Sequence, residues 1–123
     1  MPLLNKIAHV LKEAPQAFKK TSNPILIMTL LVKNEEDILE ESLRFHKAMG
    51  IDSFLITDNN STDGTIEIIR KYQEKGWIKE VIFEKATNYN QKVWVDRMIK
   101  LAKKKYHADW VINADADELW YSP

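Results

Sequence analysis

From residue 24 onward, short apolar runs alternate with amphipathic helical patterns, and this order restricts the possible folds. The apolar runs are continuous, which is typical of strands that are buried on both faces of a parallel sheet. We predict strands at 25–32, 53–57, 79–83 and 110–114, and helices at 35–49, 63–75 and 91–106. Parallel strands joined by helices require right-handed crossovers, which place helices on both faces of the sheet. The predicted fold class is therefore α/β, with a Rossmann-like, mostly parallel sheet of about four strands.

The first 23 residues differ from the rest of the chain. Between Leu3 and Phe18, apolar residues recur at helical spacing and lysines occupy the other faces. We interpret residues 1–23 as an amphipathic helix, interrupted at Pro15, followed by a linker. A helix that lies on the core or extends from it is the simpler interpretation, and contact with a membrane surface is the alternative. The domain itself is predicted to span residues 24–123.

The composition excludes several classes of protein. The 18 Lys and Arg residues balance 18 Asp and Glu residues, which argues against a nucleic-acid partner because phosphate binding requires excess positive charge. With no cysteine, the chain has no thiolate metal site, disulfide or thiol nucleophile, which is compatible with the cytoplasm. No apolar run approaches the ~20 residues that span a bilayer. We therefore expect a cytoplasmic protein, with peripheral membrane contact through the N-terminal helix as the alternative.

Polar clusters follow three of the predicted strands, at the end of the sheet where open α/β folds bind ligands. After the first strand, Asn34 or Glu35 can begin the next helix, or Glu35 can accept hydrogen bonds from a ligand. After the second strand, Asp58 begins the long polar run 58–65, in which Asp63 or Thr62 can cap the following helix. No helix needs Asp58, so its carboxylate is suited to accept a hydrogen bond from a nucleobase N–H.

The third cluster is Asp115-Ala116-Asp117-Glu118, directly after the fourth strand. A D-x-D tripeptide is weak evidence by itself, and its position in the fold gives it weight. Residues two apart on an extended segment point the same way, so Asp115 and Asp117 can converge on one hard divalent cation. Three acids in four residues repel one another unless a cation or a donor-rich ligand neutralises them. An exposed acidic turn with no ligand is the structural alternative.

Together these clusters resemble a known family. The segments K-N-E-E at 33–36, D-N-N-S-T-D-G-T at 58–65 and W-V-I-N-A-D-A-D-E at 110–118 are similar, in order and approximate spacing, to the donor-binding half of family 2 glycosyltransferases. These enzymes have the GT-A fold. The middle segment looks like the family's D-D-G-S-T-D-G-T turn, and the last looks like its D-x-D motif. The resemblance covers about residues 24–123.

The resemblance implies a role for each matching residue. Glu35 would lie near the nucleoside, Asp58 would contact the base, and Asp115 would contact the ribose or help to order the site. Asp117, with Glu118 as a second ligand, would bind Mg²⁺ or Mn²⁺ on the diphosphate of a nucleotide-diphospho-sugar. A UDP-sugar is the leading donor that the resemblance implies.

The resemblance also bears on the phosphates and the acceptor. Lys92, on the helix that precedes the D-x-D motif, would supply a cation to phosphate, and a solvated outward position is its alternative. Family members continue past the motif with the site for a glycan or other acceptor and, in inverting enzymes, a carboxylate general base. This chain stops at Pro123, so we assign no general base and expect a donor-binding domain truncated after the motif.

Three other interpretations stay open. A Toprim-like site would use a Glu after the first strand and a later D-x-D to hold Mg²⁺ for phosphodiester chemistry, but it leaves the run 58–65 unexplained. Phosphoryl transfer of the haloacid-dehalogenase type needs its nucleophilic Asp after the first strand, whereas this motif comes after the last. A non-catalytic α/β module would use its acidic turns only to cap helices.

Overall fold

A computed structural model describes residues 24–120, so the predictions for residues 1–23 lie outside the described part. Strands and helices alternate throughout the described residues, as the sequence predicted. In chain order they are β1 (Leu26–Val32), α1 (Leu39–Ala48), β2 (Ser53–Asp58), α2 (Thr65–Glu74), β3 (Ile78–Phe83), α3 (Gln91–Lys104) and β4 (Trp110–Ala114). Among these helices, none combines the length and the apolar character needed to cross a bilayer.

The four strands form one parallel sheet in the order β3-β2-β1-β4. The chain moves from β1 through β2 to β3 and then returns to the other side of β1 for β4. The order in which strands are added to the sheet therefore reverses between β1 and β4, although all four strands stay parallel. Val32 pairs with Asp58, and Leu30 pairs with Ala114. The polar segments that follow β1, β2 and β4 therefore share one edge, which we call the carboxyl rim (residues 33–36, 58–65 and 115–118).

Helices cover both faces of the sheet, which confirms the predicted fold class. On one face, α1 and α2 bury a cluster that includes Leu43, Ile69 and Tyr72 against β1 and β2. On the opposite face, α3 buries Met98 and Ala102 against the sheet. Burial of each large aliphatic side chain is worth about 1.5–3 kcal/mol, so the two clusters fix the strands and the rim that extends from them.

The first helix begins later than predicted. Asn34 has a φ of 53°, which turns the backbone out of the helical region, and residues 35–38 form a tight turn before α1 begins at Leu39. The carbonyl of Glu35 accepts hydrogen bonds from the N–H groups of Ile38 and Leu39. The expectation that the side chain of Asn34 or Glu35 begins the helix is therefore wrong, because no side chain in the described residues caps α1.

The second helix begins at Thr65, two residues after the predicted start at Asp63. The carboxylate of Asp63 accepts a hydrogen bond from the backbone N–H of Thr65 at 2.9 Å. This bond satisfies a donor of the first helical turn that has no partner within the helix. The predicted side-chain cap is wrong in its position, because the N-cap residue is Gly64, and Asp63 supports the first turn of α2 from one residue earlier.

Candidate functional site

Side chains bind the loop after β1 to the loop after β2. The side-chain oxygen of Asn34 accepts hydrogen bonds from the backbone N–H groups of Thr62, at 2.7 Å, and Asp63, at 3.3 Å. In return, the backbone N–H of Asn34 donates to the hydroxyl of Ser61 at 2.9 Å. These contacts explain why so many small polar residues occur together in the run 58–65. They hold two segments of the carboxyl rim in a fixed relation.

Asp58 occupies the last position of β2 and is 2% exposed. Its carboxylate accepts hydrogen bonds from the backbone N–H of Ser61, at 3.2 Å, and from the hydroxyl of Ser61, at 2.5 Å. Asp58 thus closes the turn after β2, a structural role that the sequence reasoning did not assign. A carboxylate offers about four acceptor positions, so these two bonds leave capacity for a ligand donor.

The same carboxylate lines a cleft of about 250 Å³, which we call the β2–β3 cleft. The cleft lies beside the ends of these two strands. Its walls are formed by Asp58, Asn60, Ser61, Thr62, Ile66, Phe83, Glu84 and Lys85. Because its lining combines the carboxylate of Asp58 with the aromatic ring of Phe83, it is suited to a flat ring with N–H donors.

A second cleft, of about 200 Å³, opens on the α3 side of the rim, and we call it the α3 cleft. It is lined by Leu31, Val32, Lys33, Glu35, Asn59, Tyr89, Gln91, Trp94 and Asp115. Glu35 follows β1, Asp115 follows β4, and Asn59 belongs to the run 58–65 after β2. Residues from all three predicted clusters therefore line this cleft.

The acidic residues after β4 converge, although not for the predicted reason. One carboxylate oxygen from each of Asp115, Asp117 and Glu118 lies within 4.8 Å of the others. The expected extended segment is wrong: residues 115–118 form a turn in which the N–H of Glu118 donates to the carbonyl of Asp115 at 3.0 Å. Ala116 is 2% exposed and packs in the core, so the chain curls around it and leaves both aspartates exposed.

Negative charge accumulates at this rim. Burial raises the pKa of Glu35 above its ordinary value, and the charges of Asp117, Asp37 and Asp115 raise it further. Burial also raises the pKa of Glu118, and the nearby Asp115 adds to that effect. A bound cation would favour the ionised forms of these carboxyl groups, so the same charges that repel one another favour cation binding.

Of two lysines in this part of the molecule, one lines the α3 cleft and the other does not. Lys92, the predicted phosphate ligand, is exposed in the first turn of α3 and is not among the described residues that line the cleft. Lys33 does line it, with its Nζ 5.7 Å from the ring centroid of Tyr89. Sequence reasoning gave no role to Lys33, Tyr89 or Trp94. Lys33 carried a usable signal, because it directly follows β1.

The fold and the rim define the chain as a Rossmann-like α/β domain of the GT-A type. The sequence model of Glycosyl transferase family 2 matches residues 29–122, which include the described sheet from Thr29 onward and all three polar clusters. The chain belongs to this family, and the resemblance inferred from the sequence is confirmed. A search of curated proteins found no match to the chain.

Proposed function

We propose that this chain is a donor-binding glycosyltransferase domain that holds a nucleotide-diphospho-sugar, a UDP-sugar in the first instance, together with Mn²⁺ or Mg²⁺. The observation that carries the proposal is the arrangement of Glu35, Asp58 and Asp115 after three neighbouring strands. Adjacent strands lie about 4.8 Å apart, so the ends of β2 and β4 are separated by about 10 Å across β1. An elongated ligand can therefore reach Asp58 at one end and the acidic turn at the other.

The residues of the acidic turn fit a hard divalent cation. Such cations bind carboxylate oxygens, and three carboxylates come within 4.8 Å of one another here. Asp117 and Glu118 would hold the ion, and Asp115 would contact the ribose or help to order the site. When bound, the cation supplies positive charge that stabilises the departing nucleoside diphosphate.

The remaining rim residues would bind the nucleotide. Asp58 would accept a hydrogen bond from the base in the β2–β3 cleft, and Glu35 would lie near the nucleoside. The diphosphate needs positive charge in an acidic region, and Lys33 in the α3 cleft can provide it, with Lys92 as the cation that the resemblance implies. The domain would then fix the donor, while a glycan or other acceptor approaches from outside it.

Calorimetric titration of the full chain with UDP, with and without Mn²⁺, tests this proposal. We expect UDP binding that requires Mn²⁺ and that Asp117→Asn weakens more than tenfold. Asp96→Asn is the matched control, because Asp96 is an exposed aspartate of α3 that does not line the two rim clefts. UDP binding that persists in EDTA or in Asp117→Asn would contradict the proposal. A chain that ignores UDP and binds DNA with Mg²⁺ would favour the Toprim-like alternative.

A further inference from the structure

We propose that His46 of α1 is a positioning residue for the acidic turn 115–118. It holds this turn in place from the buried side of α1 and does not itself contact a ligand. This inference rests on the proposed function in one respect, namely that the turn 115–118 holds the cation. Neither the family resemblance nor the charge pattern of the sequence points to this histidine.

His46 joins two segments that are 74 residues apart in the sequence. Its side chain is 1% exposed, and its Nε2 accepts a hydrogen bond from the backbone N–H of Trp120 at 2.9 Å. Its Nδ1 lies 2.8 Å from the carbonyl oxygen of Ser42. A carbonyl only accepts, so Nδ1 carries the proton and Nε2 is left as the acceptor that Trp120 requires.

Trp120 passes this constraint to the acidic turn. Its indole Nε1 donates a hydrogen bond to the carboxylate of Glu118 at 2.8 Å. The backbone N–H of Glu118 in turn donates to the carbonyl of Asp115 at 3.0 Å. Hydrogen bonds therefore link α1, through His46 and Trp120, to the carboxylate of Glu118, and the backbone of Glu118 to that of Asp115.

The buried location explains why a histidine suits this position. The group at residue 46 must accept from Trp120 and donate to Ser42 at the same time, within an apolar cluster that contains Met28 and Ile112. Burial lowers the pKa of His46, which keeps the ring neutral and preserves Nε2 as an acceptor. Glutamine also offers one acceptor and one donor on a flexible side chain, whereas leucine offers neither.

The test compares His46→Gln and His46→Leu by Mn²⁺ titration of the full chain. We expect His46→Leu to weaken Mn²⁺ binding about tenfold, in the range seen when outer partners of metal ligands are removed. His46→Gln should retain most of the affinity. Leu43→Val is the control, because it trims the same helix in the same core cluster and leaves the hydrogen bonds of His46 in place. Equal Mn²⁺ affinity in the wild type and both His46 variants would overturn the proposal.

A second measurement needs neither a variant nor a metal. In ¹⁵N-labelled wild-type chain, a scalar coupling across the hydrogen bond should connect the amide nitrogen of Trp120 with Nε2 of His46. The Trp120 amide should exchange slowly with solvent, and its indole resonance should move further in His46→Leu than in Leu43→Val. Absence of the coupling together with an unmoved indole resonance would contradict the positioning role and leave His46 as a core residue only.

The two proposals fail separately. A wild-type chain that shows the coupling but binds no Mn²⁺ contradicts the proposed function and leaves the anchoring of Glu118 by His46 and Trp120 supported. A wild-type chain that binds Mn²⁺ but shows no dependence on residue 46 retains the proposed function and overturns the positioning role.

Discussion

Gly64 occupies a position where a side chain would collide with Glu36. A Cβ added there would lie 2.5 Å from Oε2 of Glu36, the atom that accepts a hydrogen bond from the Gly64 N–H at 2.9 Å. Because Glu36 must move, we expect Gly64→Ala to lower the free energy of unfolding by about 1 kcal/mol, roughly one hydrogen bond. Urea denaturation measures this value. In a Glu36→Ala background the same substitution should cost much less, and an equal cost in both backgrounds would contradict the explanation.

His46 makes stability depend on pH. Burial lowers its pKa in the folded state below the ordinary value of 6.5, whereas the unfolded chain regains that value. The unfolded state therefore binds more protons as the pH falls through 6.5, and the free energy of unfolding should decrease until the folded-state pKa is passed. Urea denaturation between pH 8 and pH 5 measures the slope. The difference between the wild type and His46→Gln isolates this residue, and parallel curves would count against it.

Lys33 and Lys92 offer a direct comparison at the α3 cleft. Lys33 lines the cleft beside Glu35, whereas Lys92 is exposed outside its walls. If the cleft holds the diphosphate, Lys33→Gln should weaken UDP binding several-fold, because a close cation is lost, and Lys92→Gln should weaken it less. Titration in Mn²⁺ at low ionic strength gives both values. The reverse ranking would restore Lys92 as the phosphate ligand.

At the scale of elements, hydrophobic patterning predicted every strand and helix of the described residues. It could not predict the conformation of the loops between them or the residue at which each helix begins. Continuous apolar runs and helical spacing report burial, which is a local property of the sequence. The late start of α1 depends on the positive φ of Asn34 and on its hydrogen bonds to Thr62 and Asp63, which lie 28 and 29 positions further along the chain. Likewise, the turn at 115–118 follows from the packing of Ala116, which no carboxylate spacing reveals.

The link between the two loops can be tested at Asn34. Asn34→Gly keeps the positive φ without strain but removes the oxygen that accepts from Thr62 and Asp63, so we expect a loss of about 1–2 kcal/mol in the free energy of unfolding. Asn60→Gly is the control, because Asn60 also has a positive φ but donates a single exposed bond to the carbonyl of Lys85. Thermal and urea denaturation of both variants give the comparison. Equal losses would show that the interloop bonds contribute little.

At the scale of the whole molecule, charge is unevenly distributed although the net charge is zero. Acidic groups gather at the carboxyl rim, and α3 carries four exposed lysines. The exposed lysines of α3 are Lys92, Lys100, Lys103 and Lys104. The sequence predicted which strand ends carry the acids, because parallel topology brings those ends together. It could not predict which cations face the rim, since that depends on how α3 lies against the sheet.

This distribution predicts opposite effects of Asp117→Asn with and without metal. Without metal, the raised pKa of Glu35 means that its ionised form opposes folding as the pH rises through its folded-state pKa. Removal of the nearby charge of Asp117 should therefore slightly raise the melting temperature at pH 7. With Mn²⁺ at 100 times its dissociation constant, the wild type should gain about 2.7 kcal/mol from binding, and a variant that binds tenfold more weakly should gain only about 1.4 kcal/mol. Scanning calorimetry over a range of Mn²⁺ concentrations measures both effects, with Asp96→Asn as the control. An Mn²⁺-induced rise of the same size in Asp117→Asn and the wild type would place the cation elsewhere on the molecule.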